Sequence, residues 1–147
     1  MEEKAKILII EDDQDVIAAM RVALEVQQYQ VDSAIEPEEG LSKARQWRPN
    51  LVILDVMFGR RQQAKGFEAA IEMRRDPQLA AIPILMVTAV NMKYPGFNFS
   101  PKTDGEYLPV DGFIEKPVQP QDLLLKVEAL LAGKTSRWKE WPQRADS

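Results

Sequence analysis

Three apolar runs constrain this chain most: Ile7 to Ile10, Leu51 to Leu54, and Ile82 to Val87, the last broken only by Pro83. Each is strand-length and rich in branched side chains. A strand that shows one face to water alternates apolar and polar residues. A strand apolar on both sides of the pleat is buried on both faces, as in parallel sheets covered by helices above and below. Two weaker runs, Gln30 to Ala34 and Gly112 to Glu115, bring the number of expected strands to five. Between them apolar residues recur at helical spacing: Val16, Ile17, Met20 and Leu24, then Leu41, Ala44 and Trp47. A third helix is predicted over Phe67 to Arg75. The last is predicted from about Gln121 to Leu131, entered through Pro120 and stopped by Gly133. Strands alternating with helices predict an α/β fold with right-handed crossovers.

Two stretches break the alternation. Asn91 to Val110 holds Pro95, Gly96, Pro101, Gly105 and Pro109, which predicts an irregular fourth helix. Residues 133–147 form a polar tail with Trp138 and Trp141, aromatics that more often pack back onto their own domain than serve as a docking element. The 147 residues suit one domain, expected over 5–132. No run is long enough to span a membrane, and Met1-Glu2-Glu3-Lys4 leads straight into a strand without the features of a secretory signal, so a cytoplasmic location is expected. The chain has neither cysteine nor histidine, which excludes disulfides, thiolate nucleophiles, Ser-His-Asp catalysis, HExxH zinc sites and a phosphohistidine on this chain. A net charge of -4 makes direct binding to nucleic acid unexpected. Carboxylates must carry the chemistry.

In an open parallel sheet ligands bind beyond the carboxyl ends of the strands. The residues there are Glu11, Asp12 and Asp13 after the first strand, Asp55 after the third, Thr88 after the fourth and Lys116 after the fifth. Clustered carboxylates repel one another unless a proton or cation neutralises them, and oxygen ligands suit a hard cation such as Mg2+. An aspartate beside Mg2+ and a lysine ammonium can attack a phosphoryl group and become an aspartyl phosphate, with Thr88 placed to hydrogen-bond it. Taken singly these residues have ordinary explanations. Asp55 could end a strand, Glu11 and Asp12 could favour a helix N-terminus that Asp13 or Gln14 caps, Thr88 could be a strand residue and Lys116 a surface charge. Their joint positions favour function.

The runs Ile-Leu-Ile-Ile-Glu-Asp-Asp, Leu-Val-Ile-Leu-Asp-Val-Met, Met-Val-Thr-Ala and Phe-Ile-Glu-Lys-Pro resemble the strand-end motifs of bacterial response-regulator receiver domains, over residues 5 to about 132. Four motifs in order make the resemblance specific. It implies a doubly wound five-stranded parallel sheet of order 2-1-3-4-5, a flavodoxin-like fold. It further implies Mg2+ held by Glu11, Asp12, Asp55 and the Met57 backbone carbonyl, and Asp55 as phospho-acceptor. Thr88 would be the switch hydroxyl, Lys116 the characteristic lysine, and Phe113 either the rotating switch aromatic or a core residue. A cis bond is implied at Lys116-Pro117. The implied partners are a histidine kinase or phosphotransfer protein and a downstream target protein. The residues do not indicate an oligomeric state.

The chain departs from the family pattern between Asp55 and Gly66, where the loop is longer and offers Arg60, Arg61 and Lys65 as further cations near a phosphate. Met57 and Val90 fall where side chains flank the acyl phosphate in the family, so slow self-dephosphorylation is expected. Two other readings compete. A pseudo-receiver would act as a phosphorylation-independent interaction module, and such modules commonly lose the acid set that is kept here. A Mg2+ phosphohydrolase with an aspartyl nucleophile would need an acid two residues after Asp55, where Met57 stands.

Overall fold

The three apolar runs lie side by side in the computed structural model, which describes residues 4–59, 63–89 and 109–133. The elements are β1 (Lys6–Ile10), α1 (Gln14–Val26), β2 (Gln30–Ala34), α2 (Pro37–Trp47), β3 (Leu51–Asp55), α3 (Lys65–Arg75), β4 (Ile84–Thr88), β5 (Gly112–Glu115) and α4 (Pro120–Leu131). All strand pairings are parallel, in the order β2-β1-β3-β4-β5. This is the doubly wound sheet that the sequence predicts. The expected irregular segment between β4 and β5 and the polar tail lie almost wholly outside the described residues.

The pleat sorts the apolar runs into two cores. Leu8, Ile10, Val52, Leu54, Ile84 and Met86 pack with Leu41, Ala44, Ala70 and Met73 of α2 and α3. Their neighbours Ile7, Ile9, Leu51, Ile53, Leu85 and Val87 point the other way, onto Ile17, Met20 and Leu24 of α1 and Leu123, Val127 and Leu130 of α4. Every residue of β3 and β4 is buried, whereas the edge strands β2 and β5 are only partly covered. That contrast explains why β1, β3 and β4 were readable as continuous runs and the edges were weak. Each fully buried aliphatic side chain contributes about 1.5–3 kcal/mol of transfer free energy, so the two-sided burial specifies the register.

Local signals set the helix ends. The Asp13 carboxylate accepts from Asp15 N at 2.9 Å and Val16 N at 3.3 Å, capping α1 as expected. Proline occupies the first turn of α2 and of α4, where its missing N–H leaves nothing unpaired. β4 begins at Ile84, two residues later than the run suggested: Ile82 and Pro83 precede the ladder, and Pro83 contributes only its carbonyl, to Val52 N. α3 begins at Lys65, two residues earlier than expected, because Gly66 enters the helix pressed against β3.

Candidate functional site

β1 feeds a helix on one face of the sheet and β3 feeds one on the other, so a crevice opens where their carboxyl ends diverge. The loops leaving these strands hold the acids. Glu11 is 1% exposed and Asp55 5%, while Asp12 faces solvent. One carboxylate oxygen from each of the three lies within 4.8 Å of the others. Lys116, just past β5, closes the cluster: its Nζ is 3.2 Å from Asp55 Oδ2 and 3.3 Å from Glu11 Oε1.

The backbone holds the acids in place. Asp13 N donates to Glu11 Oε2 at 3.0 Å, and Gly59 N donates to Asp12 Oδ2 at 2.9 Å. Met57 N stands 3.4 Å from Asp55 Oδ1, a long contact. Burial first, and then the Asp55 charge, push the Glu11 carboxyl from 4.5 up to about 8, against the opposing pull of the Asp13 N–H and Lys116. Burial works to lower the Lys116 ammonium, but the Asp55 and Glu11 carboxylates outweigh it and hold it above its ordinary value. Glu11 Oε1 is buried and makes no hydrogen bond. Three carboxyl groups facing one ammonium, with a buried oxygen that makes no hydrogen bond, fit a divalent cation with oxygen ligands.

Glu11, Asp12, Asp55, Met57, Thr88 and Lys116 lie at this end of the sheet. Thr88 ends β4 one residue beyond Val87, the ladder partner of Asp55, and its carbonyl accepts from Lys116 N at 2.8 Å. Phe113 pairs with Met86 in β5 and is partly buried against the α2–α3 core. The Lys116-Pro117 bond is cis, as expected. The Met57 side chain is 5% exposed and belongs to the α2–α3 core. That packing follows from three consecutive apolar residues after Asp55. Val90, Arg60 and Arg61 lie outside the described residues. Lys65 is exposed at the start of α3, and among the described residues the cation recorded beside Asp55 is Lys116.

Two glycines escaped the sequence reading. Gly59, at φ +83°, supplies the N–H that fixes Asp12. Gly66 N donates to Val56 O at 2.9 Å, and a Cβ there would stand 1.7 Å from Asp55 O. Their only sequence signal was glycine at either side of a polar and basic stretch.

A family model for the response regulator receiver domain matches residues 7–128. Protein PilH of Pseudomonas aeruginosa is 29% identical over 129 residues, covering 88% of this chain and 99% of that protein. The DNA-binding dual master transcriptional regulator RpaA of Synechocystis is 32% identical over 126 residues, covering 86% of this chain. The chain spans 48% of RpaA's length, and about half of most of the curated relatives it matches. Among solved structures, a CheY-like receiver domain protein of Methanospirillum hungatei superposes with a TM-score of 0.71 at 26% identity, covering 89% of this chain and 96% of that one. The chemotaxis response regulator CheY4 of Vibrio cholerae gives 0.70 at 26% identity, covering 86% and 98%.

Proposed function

Since the chain belongs to the response regulator receiver domain family, whose members act in two-component and chemotaxis signalling, we propose that it is a Mg2+-dependent phospho-acceptor switch with Asp55 as the phosphorylated residue. The observation that carries this reading is the cluster itself: Glu11, Asp12 and Asp55 within 4.8 Å, with Lys116 Nζ 3.2 Å from Asp55. Glu11, Asp12 and Asp55, with the Met57 carbonyl, would hold the metal. When bound, Mg2+ supplies charge neutralisation for the phosphoryl oxygens.

The donor is a phosphohistidine on a histidine kinase or phosphotransfer protein. The bond between phosphorus and the imidazole nitrogen breaks, with its electron pair staying on that nitrogen, and an Asp55 carboxylate oxygen forms the new bond to phosphorus. Lys116, already ion-paired with Asp55, stands ready to pair with a phosphoryl oxygen as charge develops there. Thr88 and Phe113 are read as the switch. A new dianion beside Asp55 draws the Thr88 hydroxyl toward it, and Phe113, only partly buried on the next strand, shifts between two packings. The altered surface then binds a target protein. The unit is taken to run over residues 5–132. No helix among the described residues is long and apolar enough to cross a membrane, and a cytoplasmic setting suits this reading.

The test is incubation with Mg2+ and acetyl phosphate followed by intact mass, for wild type and Asp55→Ala. A Mg2+-dependent gain of one phosphoryl group that disappears in the variant supports the switch. A folded protein that gains nothing favours the phosphorylation-independent module.

A further inference from the structure

A second feature borders the acid cluster and shares only Asp12 with it. Between the N-terminal halves of α2 and α3 lies a groove of about 540 Å³, within the size range of ligand and peptide sites. Its floor is apolar, formed by Leu41, Phe58 and Ala69, and Ile35 stands 44% exposed at its edge. Its walls are acidic: among the described residues, Asp12, Glu36, Glu38, Glu68 and Glu72 line it with one cation, Lys65.

Helix dipoles account for part of this charge, since Glu38 and Glu68 lie in the first turns of α2 and α3. They do not account for the rest. Glu36 makes no capping hydrogen bond, and Glu72 lies a turn further along α3, where its recorded ion pair is with Arg45 at 3.6 Å. No ion pair is recorded for Glu36, Glu38 or Glu68 among the described residues. Like charges crowded around an apolar floor repel one another and would be relieved by an opposite charge from outside.

We propose that the α2–α3 groove is a docking site for a basic segment of a partner protein, with an apolar side chain seated over Leu41, Phe58 and Ala69 and flanking Lys or Arg residues paired with Glu36, Glu38 and Glu68. Charge complementarity selects this occupant: an acidic or purely apolar segment would leave the glutamates unpaired and closer to desolvation. The inference does not depend on phosphorylation of Asp55.

The test is titration of the 15N-labelled protein, in Mg2+, with a synthetic peptide in which leucine is flanked by lysines and arginines. Amide shifts should concentrate at Ile35, Glu38, Ala69 and Glu72. Affinity should fall about tenfold in Glu38→Lys with Glu68→Lys, since each exposed pair turns from attraction to repulsion. It should fall about threefold in the milder Glu38→Gln with Glu68→Gln, which keeps both helix starts uncharged rather than reversed. Glu25→Lys with Glu128→Lys, on α1 and α4, should leave it unchanged. Shifts centred on Glu11, Asp55 and Lys116 alone, or equal losses in both lysine pairs, would overturn the proposal.

Discussion

Gly66 and Asp55 meet backbone to backbone: a Cβ on Gly66 would stand 1.7 Å from the Asp55 carbonyl oxygen and 2.9 Å from that of Val56. The obstruction is main chain, which cannot swing aside, so α3 must move or β3 must bend where it delivers the acid. Gly66→Ala is expected to cost about 3 kcal/mol or more, at or above the usual upper range for overpacking, and to lower the thermal midpoint by several degrees. The variant should also take phosphoryl groups from acetyl phosphate more slowly, because Asp55 is displaced. An unchanged melting curve would show that the contact relaxes at no cost.

Gly59 offers a cleaner perturbation. A Cβ there meets nothing within 4 Å, so Gly59→Ala tests only the φ of +83° and the N–H aimed at Asp12. The strain is expected to cost about 1 kcal/mol. Relief of that strain rotates the N–H away from Asp12 Oδ2, and Mg2+ affinity should fall several-fold, measurable by titration calorimetry. A stability loss with unaltered Mg2+ binding would mean that Asp12 does not need this tether.

These two glycines mark the limit of what the residues disclosed in advance. β1, β3 and β4 were legible because burial on both faces leaves no polar position, and Glu11, Asp12, Asp55, Thr88 and Lys116 because strand ends are where a parallel sheet must place its ligands. The Asp13 cap was legible as a local pattern with a local cause. The close approach of α3 to β3 is tertiary. Gly66 and Asp55 are separated by a long loop, and nothing in that interval announces that their backbones touch. The pair Arg74–Asp111 was silent for a similar reason, since each residue alone reads as an ordinary surface charge.

Arg74, near the end of α3, is in fact a structural hub at the amino ends of β4 and β5. Its guanidinium pairs with Asp111 and donates to the carbonyls of Pro109 at 2.9 Å, Ala80 at 2.8 Å and Ile82 at 2.9 Å. Asp111 also accepts from Ile84 N at 2.9 Å. Removing one partner of this partly buried ion pair strands the other, so Arg74→Met or Asp111→Leu should each cost up to about 3 kcal/mol, the lower end of the range for fully buried pairs. The double variant should cost less than the two together, because no stranded charge remains. Chemical denaturation measures this directly, and additive losses would rule out the coupling. The pair lies at the opposite end of the strands from Asp55, so the phosphorylated fraction of folded protein should not change.

Glu11 links stability, pH and metal. Its carboxyl titrates near 4.5 when unfolded and near 8 in the metal-free fold, so between those values the native state binds more protons than the unfolded state. Stability from this group is therefore complete below the lower value and lost as pH rises through the upper one. Wild type should lose stability relative to Glu11→Gln, which cannot ionise, as pH is raised from about 5 to about 9. Mg2+ requires the deprotonated carboxylate, so it should raise the melting temperature strongly at the higher pH and weakly at the lower. Binding near neutral pH should also release a proton, detectable as a buffer-dependent heat in calorimetry. Equal stabilisation by Mg2+ at both pH values, with no proton released, would mean that Glu11 is already ionised in the metal-free protein and that Lys116 alone balances the charge of the acid cluster.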